Sequence, residues 1–302
     1  MREYREFTMK RIVVATDFSD ASYGAVSYAR QLARYFLAKV LVVHVIDAMR
    51  SLQPNGGQPA PLPDRIDAAE EELQRIGSSL AFDGIRCAVA VRVGDLRETM
   101  SDLIEERNAD LLVIGTRGKG YTNGDGLGSV AAMLLRSVSC PVLTVGKYVR
   151  QDAYERTHER TVLFPTDFSE TSRAALAYTE CLTQHLAARL LLLHVDPAAA
   201  AVQASSREKD FQDFTRGVTR PVLISEYITR TGDPAETIVK VSAEKHADFI
   251  VMGVHGSGVA GKAHGEGFAF DVIRLAKCPV FTLSGEHEGK KVHHKVPAAA
   301  HA

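Results

Sequence analysis

Apolar residues follow two rhythms along this chain. Short continuous runs, Arg11 to Thr16, Val40 to Val45, Ile85 to Val93, Asp110 to Gly115 and Pro141 to Val145, read as strands buried on both faces. Between them, apolar positions return every three or four residues. Asp20 to Ala38 puts Ala25, Ala29, Leu32, Ala33 and Phe36 on one helical face. Asp64 to Leu80, Asp95 to Arg107 and Ser129 to Ser137 continue the alternation. Strands that alternate with crossover helices predict a parallel sheet covered on both sides.

The pattern then starts again. Thr16-Asp17-Phe18-Ser19 recurs as Thr166-Asp167-Phe168-Ser169, and His44-Val45 as His194-Val195, at an offset of 150. Gly94-Asp95 recurs as Gly232-Asp233, Ala109-Asp110 as Ala247-Asp248, and Cys140-Pro141-Val142 as Cys278-Pro279-Val280, at an offset of 138. Most of the difference falls in Ser51 to Pro59, whose Pro and Gly content predicts an irregular surface loop. Two copies at this spacing mean a duplicated domain, not a solenoid. The charged stretch Lys147 to Arg160 reads as the linker, so the domains are expected at 1–150 and 151–302, with the boundary near 152. The second copy repeats the element order with a weaker second helix around Ser205 to Arg216. The polar tail from Gly285 onward is expected to be disordered.

A length of 302 residues suits two domains of roughly 150 residues. Composition narrows the functions more than the fold. A net charge of −1 argues against a general nucleic-acid binder, which would carry a basic face. The longest apolar runs are too short to span a bilayer. Cys87, Cys140, Cys181 and Cys278 form no C-x-x-C pair and no zinc-like spacing, which fits a reducing cytoplasm; Cys140 and Cys278 read as packing residues. The charged N-terminus lacks a signal-peptide core. His287, His293, His294 and His301 show no strict ligand spacing, so no metal site is expected.

One segment carries candidate chemistry. Gly115, Gly118, Gly128 and Ser129 follow the fourth strand and open the fourth helix, with two residues and then nine between the glycines. Glycines let backbone approach a phosphate, and free N–H groups at a helix start donate to it. Gly118 permits an unusual backbone angle, Ser129 can cap the helix or donate to a phosphate, and Arg117 and Lys119 can screen charge. The same spacing also describes a flexible glycine loop with an ordinary Ser cap. It is not a Walker loop, since no Gly-Lys-Ser/Thr closes it. Asp17 suits a ribose contact, a magnesium ion, or the turn into the first helix beside Ser19 and Asp20. His44 and His194 read as satisfied strand-end histidines. No base, nucleophile or second metal carboxylate stands near the loop, so no catalytic residue is assigned. In the second copy, Gly253 and Gly256 persist, but Glu266 and Gly267 stand in register with Gly128 and Ser129. A carboxylate there would repel a phosphate, which predicts a degenerate second site.

With these motifs the chain resembles the universal stress protein family in its tandem form, over about 11–146 and 161–284. The glycine spacing of the first copy is similar to the family's ATP-binding signature. The resemblance implies an α/β fold of two doubly wound domains, each a five-stranded parallel sheet in order 3-2-1-4-5 flanked by about four helices. It implies ATP or another adenine nucleotide, with or without Mg2+, held by Ala15, Thr16, Asp17 and Val45, with Gly115, Thr116, Arg117, Gly118, Gly128, Ser129 and Val130 around the phosphates. A weaker second site would use Pro165, Thr166, Asp167, Val195, Gly253 and Gly256. The family's domains commonly pair through their last strands, here Pro141–Val145 and Pro279–Leu283, within one chain or between two copies. The reading that follows is a cytoplasmic, non-catalytic stress-response protein. Two alternatives stand beside it: a nucleotide-independent scaffold acting through strand pairing, and a slow ATPase.

Overall fold

The computed structural model describes residues 9–47, 60–118, 126–149, 159–196, 204–216, 224–254 and 267–284. The first half runs β1 (Arg11–Ala15), α1 (Asp20–Phe36), β2 (Lys39–Ile46), α2 (Leu62–Phe82), β3 (Cys87–Val93), α3 (Leu96–Glu106), β4 (Leu111–Gly115), α4 (Ser129–Ser137) and β5 (Val142–Val145). The second half runs β6 (Thr161–Pro165), α5 (Glu170–His185), β7 (Arg189–Asp196), α6 (Ala204–Thr215), β8 (Ile224–Thr231), α7 (Pro234–Glu244), β9 (Phe249–Val254), α8 (Phe268–Leu275) and β10 (Val280–Ser284). The expected boundary near 152, the loop Ser51 to Pro59 and the tail from Gly285 lie outside the described residues.

Two doubly wound domains join in one ten-stranded sheet, in the order β3-β2-β1-β4-β5-β10-β9-β6-β7-β8. Each half has the order 3-2-1-4-5 in its own numbering. Within each half the strands pair in parallel; across the centre β5 and β10 pair antiparallel, Leu143 opposite Phe281. The strand pairing implied by the family resemblance is therefore made inside the chain. Thr144 Oγ1 donates to the Val280 carbonyl (3.1 Å) and Thr282 Oγ1 to that of Val142 (3.3 Å), a reciprocal contact about a pseudo-twofold.

Strand alternation sends successive side chains to opposite faces. Ile12 and Val14 join the core under α1, α2, α5 and α6, whereas Val13 joins the core under α3, α4, α7 and α8. Both cores draw residues from both halves, since Leu143 and Phe281 share the first, and Val142 and Val280 the second. Cys140 and Cys278 are free and buried in the second, and burial pushes each thiol up to about 12.

Candidate functional site

Because β1 and β4 are parallel neighbours, their carboxyl ends lie side by side. The chain leaves β1 through Thr16-Asp17-Phe18-Ser19 and enters α1. Thr16 is buried, and its Oγ1 accepts from the Phe18 N–H (3.0 Å). Asp17 Oδ1 accepts from the N–H (3.2 Å) and hydroxyl (2.6 Å) of Ser19. Ser19 caps α1 by accepting from the Ser22 N–H. Phe18 takes a left-handed φ of 60°, which costs a non-glycine residue about 1 kcal/mol. In that pose its ring lies 4.6 Å from the ring of His44. The Nδ1 of His44 sits 2.8 Å from the Thr16 carbonyl; a carbonyl only accepts, so Nδ1 carries the proton. His44 is thus a strand-end histidine tied to the turn.

The glycine loop meets this turn from the β4 side. All three glycines provide space, and Gly118 takes no positive φ. A Cβ on Gly115 would stand 2.7 Å from the Ala21 carbonyl carbon and 2.9 Å from the Ser22 nitrogen. A Cβ on Gly118 would collide with Asp17 Oδ2, and one on Gly128 would press on the Thr116 carbonyl at 3.1 Å. Ser19 Oγ also reaches the Arg117 carbonyl (3.2 Å), stitching the two loops together.

The helix starts at Ser129, where the periodicity places it, but another residue caps it. Gly128, not Ser129, is the N-cap of α4, and Ser129 is its first helical residue. The Gly128 N–H donates to the Thr116 carbonyl (2.8 Å), so it is not a phosphate donor. The N–H groups of Ser129, Val130 and Ala131 find no acceptor among the described residues. They leave the electropositive end of the helix open to the cleft.

Ala15, Thr16, Asp17, Val45, Gly115, Thr116, Arg117, Gly118, Gly128, Ser129 and Val130 line one cleft of about 390 Å3. Lys119, named as a screening charge, lies outside the described residues. The equivalent cleft of the second half, about 400 Å3, is lined by Pro165, Thr166, Asp167, Val195 and Gly253, while Gly256 and Glu266 lie outside the described residues. Its turn repeats the first: Phe168 has a φ of 62° and stacks on His194 at 4.5 Å, and His194 Nδ1 meets the Thr166 carbonyl at 2.8 Å. Burial would push Asp167 up, but hydrogen bonds from Ser169 and Ser172 outweigh it and hold the carboxyl below its usual range. The helix start is poorer in donors. Gly267 caps α8, and the Phe270 N–H already donates to the Gly267 carbonyl (2.8 Å), leaving Phe268 and Ala269.

The sequence matches the profile of the universal stress protein family over residues 8–146 and again over 159–283. The chain belongs to this family. Universal stress protein MJ0531 of Methanocaldococcus jannaschii is 31% identical over 144 residues, covering 46% of the chain and 82% of that protein. Universal stress protein G of Shigella flexneri is 39% identical over 77 residues, 26% of the chain, and the match spans 54% of that protein's length. In three dimensions, a universal stress protein of Archaeoglobus fulgidus aligns with a TM-score of 0.72 at 21% identity, covering 92% of this chain and all of that one. That likeness concerns the fold.

Within this family member the site holds residues that sequence reasoning passed over. Asp47 and Leu96 also line the first cleft. Asp47 stands two positions beyond Val45 and just past β2, a strand-end polar residue that could have been singled out by place alone. In the second half, buried Asp196 ends β7 and is ion-paired to Arg207 of α6, which also reaches Asp210 at 2.9 Å. Nothing in the repeat signals this, since the first half has Ile46 there. Among the described residues, no group of three or more His, Cys, Asp or Glu is disposed to hold a metal. No helix of the described residues is long and apolar enough to cross a membrane.

Proposed function

We propose that the protein binds ATP or another adenine nucleotide in the cleft of its first half, as a cytoplasmic stress-response protein with a sensing or regulatory role rather than a catalytic one. One observation carries the reading. Eleven residues named from sequence line a single cleft, at the carboxyl ends of parallel strands and against the start of α4. In open α/β sheets that is where nucleotides sit. The backbone supplies the chemistry: N–H groups of Ser129, Val130 and Ala131 with the positive helix end would receive phosphates, and Arg117 would add charge. Asp17 and Thr16, fixed by the turn, would face the nucleoside end.

A regulatory role is favoured by the nature of these groups. They bind and orient; the nearest imidazole, His44, already spends its Nδ1 proton on Thr16. A magnesium ion accompanying the nucleotide would be carried chiefly by phosphate oxygens and water, as is usual for that ion, with Asp17 the nearest carboxylate of the turn. Family membership supports the stress-response role. The four free cysteines support a reducing compartment. Strand pairing is a weaker basis for a scaffold function, because β5 and β10 pair with each other and leave β3 and β8 as the sheet edges.

Mass spectrometry of small molecules released from the purified protein tests the proposal. An adenine nucleotide is expected from the wild type and its loss from Gly118→Ala. Release of no nucleotide by a protein that also fails to bind added ATP would overturn it.

A further inference from the structure

Strand alternation sends Val43 and Val45 of β2 to one face of the sheet, and His44 and Ile46 to the other. Val45 lines the first cleft. On the opposite face, between the β1–α1 turn and α2, a separate cavity of about 610 Å3 is lined by Phe18, Tyr23, Ile46, Arg65, Ala69 and Glu72. Asp17 and His44 form the wall between the two.

The second half shows what this space accepts. α2 and α6 correspond at an offset of 142, with Arg65 at the place of Arg207, Ala69 at that of Phe211 and Glu72 at that of Phe214. Contacts support the register at three points. Arg65 and Ile46 line the cavity together, and Arg207 is ion-paired to Asp196, which stands at the place of Ile46. Ala69 lines the cavity with Phe18, and Phe211 packs on Phe168. The Tyr23 hydroxyl donates to Glu72, and Arg173, at the place of Tyr23, lies over the Phe214 ring at 5.2 Å.

In the second half this space is full. Phe211 and Phe214 are both buried and meet the Phe168 ring edge-on, at 5.1 and 5.6 Å, while the Asp196 carboxylate meets Arg207. In the first half, alanine stands where Phe211 fills the space, and Ile46 brings no carboxylate toward Arg65. What the first half lacks, relative to its own copy, is an aromatic ring and a carboxylate. The two acidic residues of the lining are turned to other partners. Glu72 accepts from Tyr23 on Oε1 and from Arg75 on Oε2 (2.5 Å). Asp17 Oδ1 is held by Ser19, and its Oδ2 lies against Gly118. A guanidinium has five N–H donors, so Arg65 can take a ligand carboxylate beside a contact to the protein.

We propose that this cavity is a binding site for an aromatic carboxylate, its ring edge-on to Phe18 over Ala69, where the second half has Phe211, and its carboxylate on Arg65, where the second half has Asp196. The volume lies within the roughly 300–1,000 Å3 of small-molecule sites. Edge-to-face packing adds to the area that such a ring buries. The site does not depend on the nucleotide reading of the first cleft.

Ligand-observed NMR titration of the full chain with phenylacetate, and with phenylethanol as its uncharged counterpart, is the test. Phenylacetate is expected to bind at one site, about tenfold or more tighter than phenylethanol. Arg65→Gln should remove that preference. Ala69→Phe, which restores the ring of the second half, should abolish binding of both in a chain whose circular dichroism remains native. If that variant does not fold, the preference lost or kept in Arg65→Gln decides. Added ATP should leave phenylacetate bound. Failure of the wild type to bind phenylacetate, equal affinity for the alcohol, binding retained in Ala69→Phe, or displacement by ATP would each overturn the proposal. Absence of ATP binding by a chain that holds phenylacetate in this way would refute the nucleotide reading of the first cleft and uphold this site.

Discussion

Asp110 recurs as Asp248, and in both halves the carboxylate holds the start of a strand rather than a ligand. Asp110 Oδ2 accepts from the N–H groups of Lys10 (2.8 Å) and Arg11 (2.9 Å), and Asp248 Oδ2 from that of Thr161 (2.8 Å). Gly94-Asp95 and Gly232-Asp233 are likewise structural. The glycines take φ of 155° and 145°, and the aspartates cap α3 and α7. A repeat exposes which residues matter twice, but not whether they serve fold or ligand. The glycine loop shows the same limit. Its spacing was legible, yet its glycines serve close approach, which depends on what packs opposite. Two predictions separate the roles. Gly115→Ala forces a Cβ into the backbone of α1 and is expected to cost about 1–3 kcal/mol, seen as a lowered Tm. Gly118→Ala meets a side-chain oxygen of Asp17 instead of backbone; ATP affinity should fall about tenfold while Tm changes less than for Gly115→Ala. Ser19→Ala, which removes the α1 cap, should cost about 1 kcal/mol in urea unfolding.

Periodicity located every helix and strand of the first half to within about two residues, because each element must bury a face and buried faces leave a rhythm. Ends were less legible. The Asp20 to Ala38 helix stops at Phe36 because Leu37 turns left-handed, with a φ of 53°. Ser129 reads from sequence as a cap or a phosphate donor; the cap is Gly128, whose N–H is held by the Thr116 carbonyl. α6 is weak by sequence yet anchored. Phe211 and Phe214 bury their rings against Phe168, at 5.1 and 5.6 Å, and Arg207 clamps Asp196. The pairing of β5 with β10 could be anticipated only through the family resemblance, since four or five apolar residues do not announce a partner. Phe281 is fully buried there, 5.4 Å from the ring of Phe249. Phe281→Ala is expected to cost about 3–5 kcal/mol in chemical denaturation, as large aromatic truncations do in a well-packed core.

On the scale of the whole molecule, two domains share one sheet and two continuous cores. Contacts beyond the sheet reinforce this. The Tyr35 hydroxyl of α1 donates to the His185 carbonyl of α5, and Arg160 lies over the Tyr35 ring at 4.8 Å. Arg136 of α4 lies 4.8 Å from the ring of Phe270, which lines the second cleft. Glu180 on α5 is 4% exposed, and burial pushes its carboxyl up to about 7. The folded state therefore holds this proton when the unfolded chain has lost it. Its contribution is complete below the unfolded value and is lost as pH rises through about 7. Glu180→Gln should flatten that slope and raise stability at pH 8 by about 1–2 kcal/mol, measured by urea unfolding at pH 5 and pH 8. The central claim is that the first cleft holds an adenine nucleotide through the loop from Gly115 to Ser129. Isothermal titration of ATP into wild type and Gly128→Glu tests it most directly. Binding at one site by the wild type, lost in the folded variant, is the result predicted; no binding by the wild type, or equal binding by both, would contradict it.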